Sequence, residues 1–184
     1  MAETALPAVA FAAVYPLSGS DTKASAAVAV GVAVILVLVR LARRESPRYV
    51  LPGLIGVAFA AFVAARSGKA ENFFLPGLLA NAAYATAFLV SIAIRKPLVG
   101  VLVAQLDGEA GRWQGDPARV RAFTRASWVW VGLFLSRLGV QLPLYLAGAV
   151  VALGIARTAM GIPLFAVGLW LTYRLVRRAP QHAT

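Results

Sequence analysis

Most hydrophobic residues of this chain are grouped in six blocks. A helix needs about 20 apolar residues to cross a hydrocarbon core about 30 Å thick, whereas the strands of a membrane barrel alternate apolar and polar positions. The blocks cover residues 6–17, 24–41, 49–65, 72–94, 127–147 and 162–176. Because none of them alternates, the pattern predicts an all-α membrane protein. We expect about six hydrophobic helices in a single integral-membrane domain over residues 1–184.

The polar stretches predict how these helices are connected. Short turns containing glycine precede the second, fourth and sixth blocks, and each of these blocks ends in basic residues. This order predicts three successive helical hairpins, of which the first begins with a short helix. Small residues also recur at four-residue spacing, which lets helix backbones approach closely in a membrane. They are Ser25, Ala29, Ala33, Ala60, Ala64, Gly132 and Ser136.

The fifth block belongs to an apolar stretch, residues 126–156, that is too long for one straight span. As a single helix it would extend about 46 Å. Pro143 has no backbone N–H and clashes with the preceding turn, so we expect a kink or break near this residue. The span would then run from Ser127 to about Ala147, and a short helix or half-helix would follow.

The stretch at about residues 95–125 predicts a cytoplasmic loop with two parts. Residues 97–106 are apolar but too few to cross, so we expect them to lie in the membrane interface or to re-enter. Trp113 is available as an interface anchor. Asp116 and Pro117 predict a helix start, because Asp can accept hydrogen bonds from the first N–H groups and Pro loses none there.

The basic residues predict the orientation, because Lys and Arg accumulate in cytoplasmic loops. Four lie on the side of the hairpin turns, namely Lys23, Arg66, Lys69 and Arg157. Thirteen lie on the opposite side, namely Arg40, Arg43, Arg44, Arg48, Arg95, Lys96, Arg112, Arg119, Arg121, Arg125, Arg174, Arg177 and Arg178. We therefore expect a multi-pass plasma-membrane protein with cytoplasmic N- and C-termini.

Composition agrees with the membrane assignment and narrows the chemistry. Hydrophobic residues make up 60% of the 184 and charged residues 14%, against about a quarter in soluble domains. The net charge of +11 is concentrated at the ends of the blocks, so we expect the lipid bilayer and no nucleic acid as a partner. The chain has no cysteine and one histidine, His182, which leaves conventional zinc, haem and Ser-His-Asp sites without ligands. We expect no metal and no cofactor.

Arg137 is the most informative candidate residue, because it lies near the middle of the fifth block. A charge at that depth costs about 2.5–3.5 kcal/mol on insertion scales. Gln141 follows one turn later on the same helix face and Ser136 is adjacent. One hypothesis is that Arg137 holds an anionic or polar ligand such as a lipid headgroup. The alternative is a structural arginine that binds carbonyls freed near Pro143.

Other polar residues complete the candidate set. Asn81 and Tyr84 lie in the fourth block, where a buried amide can bond across helices or contact a ligand. Arg66, Glu71 and Asn72 form a charged outer rim, for which a solvated hairpin is the simpler explanation. The seven carboxylates lie at or outside the ends of the blocks. Proton relays and cation-coupled carriers normally need an acid at depth, so these classes are disfavoured.

Several stretches resemble an actinobacterial family of small polytopic membrane proteins of unknown function, and more distantly the intracellular septation protein A family. They are ALPAVAFAAVY, VRLARRES, ARSGKAENFFLPGLLANAAYATAFLVSIAIRKPLVG and LPLYLAG. The sharpest local match is the run Arg95-Lys96-Pro97-Leu98. The resemblance implies an inner-membrane protein with a role in the cell envelope. It transfers no catalytic residue.

Three hypotheses about function follow. The first is a non-enzymatic envelope protein that binds lipid or partner proteins, as an oligomer or within a complex. The second is a small carrier or channel with a polar path at Arg137 and Gln141. The third is a membrane-embedded enzyme that modifies lipids or isoprenoids, which the absence of deep acids and histidines disfavours.

Overall fold

The computed structural model describes residues 5–44, 47–107 and 112–177, which form helices joined by short turns. The α-helices are α1 (Leu6–Leu17), α2 (Thr22–Ala42), α3 (Pro47–Ser67), α4 (Leu75–Ala93), α5 (Leu98–Asp107), α6 (Pro117–Leu146), α7 (Val150–Ala159) and α8 (Ile162–Arg177). Short 3-10 helices at Ala70–Phe73 and Arg112–Gly115 precede α4 and α6. These ranges contain no strand, which confirms the all-α prediction.

Four stretches are long and apolar enough to cross a membrane: α2, α4, α6 and Val150–Arg177, which joins α7 and α8. Shorter apolar helices occur at Leu6–Leu17 and Leu51–Ser67. Each predicted block overlaps one α-helix: the first, second, third, fourth and sixth overlap α1, α2, α3, α4 and α8, and the fifth overlaps α6 except at Ala147. The chain is a helical membrane protein. Its arrangement as three hairpins in one domain stays a prediction.

The ends of α6 show which local signals set its length. Asp116 Oδ1 accepts hydrogen bonds from the backbone N–H groups of Ala118 (2.8 Å) and Arg119 (3.4 Å), which confirms the predicted helix start. The helix continues through Pro143 to Leu146, so a kink at the proline stays a prediction. Gly148 then adopts a φ of 65°, a left-handed conformation that glycine adopts without strain, and α7 begins as a separate short helix.

Contacts divide the chain into two compact units, each assembled from two stretches of sequence. Unit 1 contains Met1–Leu79 and Gly139–Ile162, and therefore α1, α2, α3, α7, the start of α4 and the end of α6. Unit 2 contains Ala80–Leu138 and Pro163–Thr184, and therefore α5, α8 and the remaining parts of α4 and α6.

In unit 1, small residues let three helices pack closely. α2 packs against both α1 and α3. Ser25, Ala29 and Ala33 of α2 and Ala60 and Ala64 of α3 are all buried. Lipid gives no hydrophobic drive for helices to associate, so close backbone approach through such residues has to supply the contact energy. The predicted role of these five residues is confirmed.

An aromatic cluster forms the centre of unit 1. The ring of Phe11 stacks on Phe73, with 4.1 Å between centroids, and meets Phe74 edge-on at 6.1 Å. All three rings are almost fully buried, and Ala70 is buried with them. The 3-10 helix before α4 therefore packs inside the unit. The sequence assigned this connection to a solvated hairpin, which is wrong for its second half because two adjacent phenylalanines bury it.

In unit 2, Trp130 connects α6 to α8. Its Nε1 donates a hydrogen bond of 3.0 Å to Thr172 Oγ1, and its ring packs edge-on against Phe165 with centroids 5.0 Å apart. Gly168 makes the approach possible, since a Cβ there would lie 2.9 Å from Leu133 Cδ1. Gly132 and Ser136 are exposed, so the small-residue prediction is wrong at both positions.

Trp113 belongs to the core of unit 2. Its side chain is only 3% exposed, and its ring meets Phe123 edge-on with centroids 5.3 Å apart. Gly100 of α5 lies directly against both rings, since a Cβ there would come within 3.0 Å of Trp113 Cη2. The prediction of an interface anchor is therefore wrong for Trp113, because the indole buries its surface against protein.

Candidate functional site

Four of the five polar residues that the sequence grouped around Arg137, namely Asn81, Tyr84, Ser136 and Arg137 itself, belong to unit 2. Arg137 is half-buried on α6, and Asn81 is half-buried on α4; both belong to unit 2, and neither is without a partner. Ser136 donates its hydroxyl to the Leu133 carbonyl of its own helix at 2.9 Å. That hydroxyl hydrogen is therefore already used locally. A ligand role for Arg137 stays a prediction.

Tyr84 and Gln141 have opposite surroundings. Tyr84 is 56% exposed, and its ring packs against Phe134 with centroids 5.3 Å apart. Gln141 is 4% exposed and belongs to unit 1. One side chain therefore lies on the protein surface while the other is enclosed.

The predicted outer rim is only partly exposed. Arg66 is exposed at the end of α3, whereas Glu71 and Asn72 are half-buried. Asn72 Oδ1 accepts a hydrogen bond of 2.5 Å from the Tyr145 hydroxyl. This bond ties the connection before α4 to the end of α6 within unit 1. Asn72 therefore makes a structural hydrogen bond, and the neighbouring Phe73 and Phe74 are buried in unit 1.

Arg157, at the end of α7, lies beside a cavity of about 320 Å³ in unit 1. Four parts of the chain supply its walls: α1, α3, the 3-10 helix with the first turn of α4, and α7. The lining residues are Ala8, Pro52, Gly53, Gly56, Val57, Ala60, Phe73, Pro76, Gly77 and Arg157. Nine of these ten have apolar side chains or none, so the guanidinium is the single charged group.

Small residues create the space around this guanidinium. Gly77 lies directly beside it, since a Cβ there would be 3.0 Å from Arg157 Nη1. Gly53 and Gly56 leave open space along α3, with no atom within 4 Å of an added Cβ. The Arg157 guanidinium also lies over the ring of Phe74, at 5.9 Å from the centroid. This cation–π contact helps to hold the arginine in place.

A second cavity, of about 370 Å³, lies between α1 and α7 and is almost entirely apolar. Its walls include Val9, Ala13, Val151 and Ile155. Gly154 lets the two helices touch, since a Cβ there would collide with the Cβ of Ala12. The short helices α1 and α7 therefore contribute to both cavities, one with a cation and one suited to hydrocarbon.

The side chains around the Arg157 cavity determine which ligands it can hold. The ten lining residues that the structure describes include no carboxylate, hydroxyl, imidazole or thiol. Among residues 5–44, 47–107 and 112–177, no group of three or more His, Cys, Asp or Glu could hold a metal ion. A single guanidinium with apolar walls can bind an anionic group attached to an apolar body.

Sequence reasoning assigned Arg157 to the outer face and did not single it out as a site residue. A signal was available, because Gly53, Gly56 and Ala60 lie close to one face of α3 and Arg157 is the only charge in the apolar stretch from Leu138 to Tyr173. Neither feature shows that the glycines of α3 and Arg157 meet, since residues 8, 53, 77 and 157 are far apart in the chain.

Comparison with known proteins identifies a family for this chain. A family described as "Protein of unknown function (DUF3159)" matches residues 1–183. No curated protein and no solved structure matches the chain. The expected resemblance to a family of unknown function is therefore confirmed, while an actinobacterial origin and a likeness to septation protein A stay predictions.

Proposed function

The chain belongs to the DUF3159 family, and from this premise we propose that it is a non-enzymatic membrane protein that binds an anionic lipid in the cavity beside Arg157. We place it in the plasma membrane with both termini cytoplasmic, as the distribution of basic residues predicts. A role in the cell envelope is part of this proposal. The observation that carries it is one guanidinium in an otherwise apolar cavity of a membrane protein.

Charge and shape support a lipid as the occupant. A buried or half-buried anion needs a compensating cation, and among the lining residues that the structure describes Arg157 supplies one. A free inorganic anion would leave the apolar walls without a partner. A lipid would place its phosphate or carboxylate against the guanidinium and its hydrocarbon against the apolar walls.

The first experiment removes the cation. Protein purified in mild detergent is titrated with phosphatidylglycerol or phosphatidylcholine, and bound lipid is counted by native mass spectrometry. Arg157→Ala should lose one tightly bound phosphatidylglycerol. Arg66→Ala is the matched control, because Arg66 is a basic residue on the same predicted side that does not line the cavity. Equal binding by wild type and Arg157→Ala would contradict the proposal.

The second experiment fills the cavity and leaves the charge in place. Gly56→Leu adds a side chain to the cavity wall, and no atom lies within 4 Å of the first added carbon. Gly31→Leu in α2 is the control, since that glycine also has open space around it and does not line the cavity. Gly56→Leu should lose the bound lipid while Gly31→Leu retains it. Retention by both variants would show that the lipid binds elsewhere.

A further inference from the structure

The second half of α8, from Gly168 to Arg177, has one face packed within unit 2 and an opposite face that is exposed. The inward face packs in unit 2 through Gly168 and through Thr172, which accepts the hydrogen bond from Trp130. The outward face carries two aromatic residues, Trp170 (53% exposed) and Tyr173 (54% exposed). Exposed rings of this size in a membrane helix lie in contact with lipid.

An arginine guanidinium stacks on each of these rings. The guanidinium of Arg174 lies over the Trp170 ring at 4.5 Å from the centroid, and that of Arg177 lies over the Tyr173 ring at 4.8 Å. Both pairs are four residues apart, so the four side chains share one helix face. Both arginines are exposed. Stacking restricts the guanidinium and covers its flat face, while the N–H groups at the edges of its plane are not covered by the ring.

We propose that Trp170, Tyr173, Arg174 and Arg177 form a binding site for the headgroup of an anionic phospholipid. The site belongs to unit 2, does not involve Arg157 and does not depend on the function proposed above. Arg174 and Arg177 are three residues apart, a spacing that brings their side chains close enough to share one phosphate. Guanidinium groups bind phosphate oxygens through paired N–H donors. The rings hold the lipid near the boundary between hydrocarbon and headgroups.

Charge complementarity favours a lipid, and not a second copy of the chain, as the partner that binds this face of α8. The described part of α8 contains two arginines and no carboxylate. Two copies that met through this face would bring four cations together without a counter-charge, which is unfavourable. An anionic headgroup neutralises both arginines. The distribution of basic residues predicts that this end of α8 lies at the cytoplasmic leaflet, to which polybasic segments bind.

The test measures lipid binding in two backgrounds so that the two sites can be distinguished. In wild type and in Arg157→Ala, R174Q/R177Q should weaken phosphatidylglycerol binding at one site by about 10- to 30-fold, as expected for two interfacial arginines. Phosphatidylcholine binding should change less. The matched control is R43Q/R44Q, which removes two exposed basic residues from the end of α2 on the same predicted side.

Two further variants test the geometry. R174K/R177K keeps both charges but loses the planar groups, and Trp170→Leu keeps both arginines but removes one ring. Each should weaken phosphatidylglycerol binding about threefold or more. The proposal is overturned if R174Q/R177Q retains wild-type affinity or if R43Q/R44Q reduces it equally. A change from dimer to monomer in R174Q/R177Q, seen in the same spectra, would also overturn it, because the face would then be a contact between copies.

Discussion

Gly154 offers the sharpest test of how unit 1 is held together. It lies on α7 directly against Ala12 of α1, and a Cβ at this position would collide with the Ala12 Cβ. Extra methyl groups in a well-packed core cost about 1–3 kcal/mol. Replacing a helix-interior glycine by alanine also contributes about 0.8–1.0 kcal/mol of favourable helix propensity. The two contributions partly cancel, so Gly154→Ala should lower the free energy of unfolding only slightly. A second glycine variant is needed to separate the steric contribution from helix propensity.

Gly31 in α2 supplies that reference. A Cβ there meets no atom within 4 Å, so Gly31→Ala should gain the helix propensity without the collision. The difference in unfolding free energy between Gly154→Ala and Gly31→Ala then isolates the steric cost, which we expect to be about 1–3 kcal/mol. Unfolding free energies can be measured by titration with a denaturing detergent, followed by circular dichroism.

A double variant tests whether the two helices touch at this point. Ala12→Gly removes the opposing methyl, so adding it to Gly154→Ala should recover the steric cost. We expect a coupling energy of about 1–3 kcal/mol between the two positions. Distant, independent sites add within about 0.3–0.5 kcal/mol. A coupling energy inside that limit would refute the close packing of α1 on α7, and with it the walls of both cavities.

Three other predictions follow from the same structure. A reporter inserted near Gly68 should be exported and one fused to the C-terminus should remain cytoplasmic; periplasmic activity at the C-terminus would contradict the orientation. In a variant with Trp113 as its only tryptophan, fluorescence should peak at short wavelength and not change between neutral and anionic lipid, because the ring is buried in protein. The melting temperature of Arg137→Leu should be no lower than that of wild type, since the substitution removes a charge from the span. If Arg137 holds a ligand, the variant should fail to complement a strain that lacks this protein. A destabilised protein that still complements would assign Arg137 a scaffolding role.

Much of the fold could be predicted from the sequence because the responsible forces act over short stretches of chain. Membrane-spanning length and hydropathy are properties of consecutive residues, so each predicted block lies within or overlaps a helix. The start of α6 depends on Asp116 and the two N–H groups that follow it. Small residues spaced by four predicted the buried faces of α2 and α3, since that spacing is one helical turn.

Only the tertiary structure decided which side chains meet. Trp113 and Phe73 are aromatic residues in connections, and hydropathy alone does not separate a ring at the lipid interface from one in a protein core. The Arg157 cavity needs residues from four parts of the chain, and Gly77 gains its role only because α7 brings a guanidinium beside it. The stacking in α8 is local in sequence, but its exposure depends on Gly168 and Thr172 turning the opposite face inward. Composition and spacing therefore determined a helical membrane protein, while packing between distant segments determined where a ligand could bind.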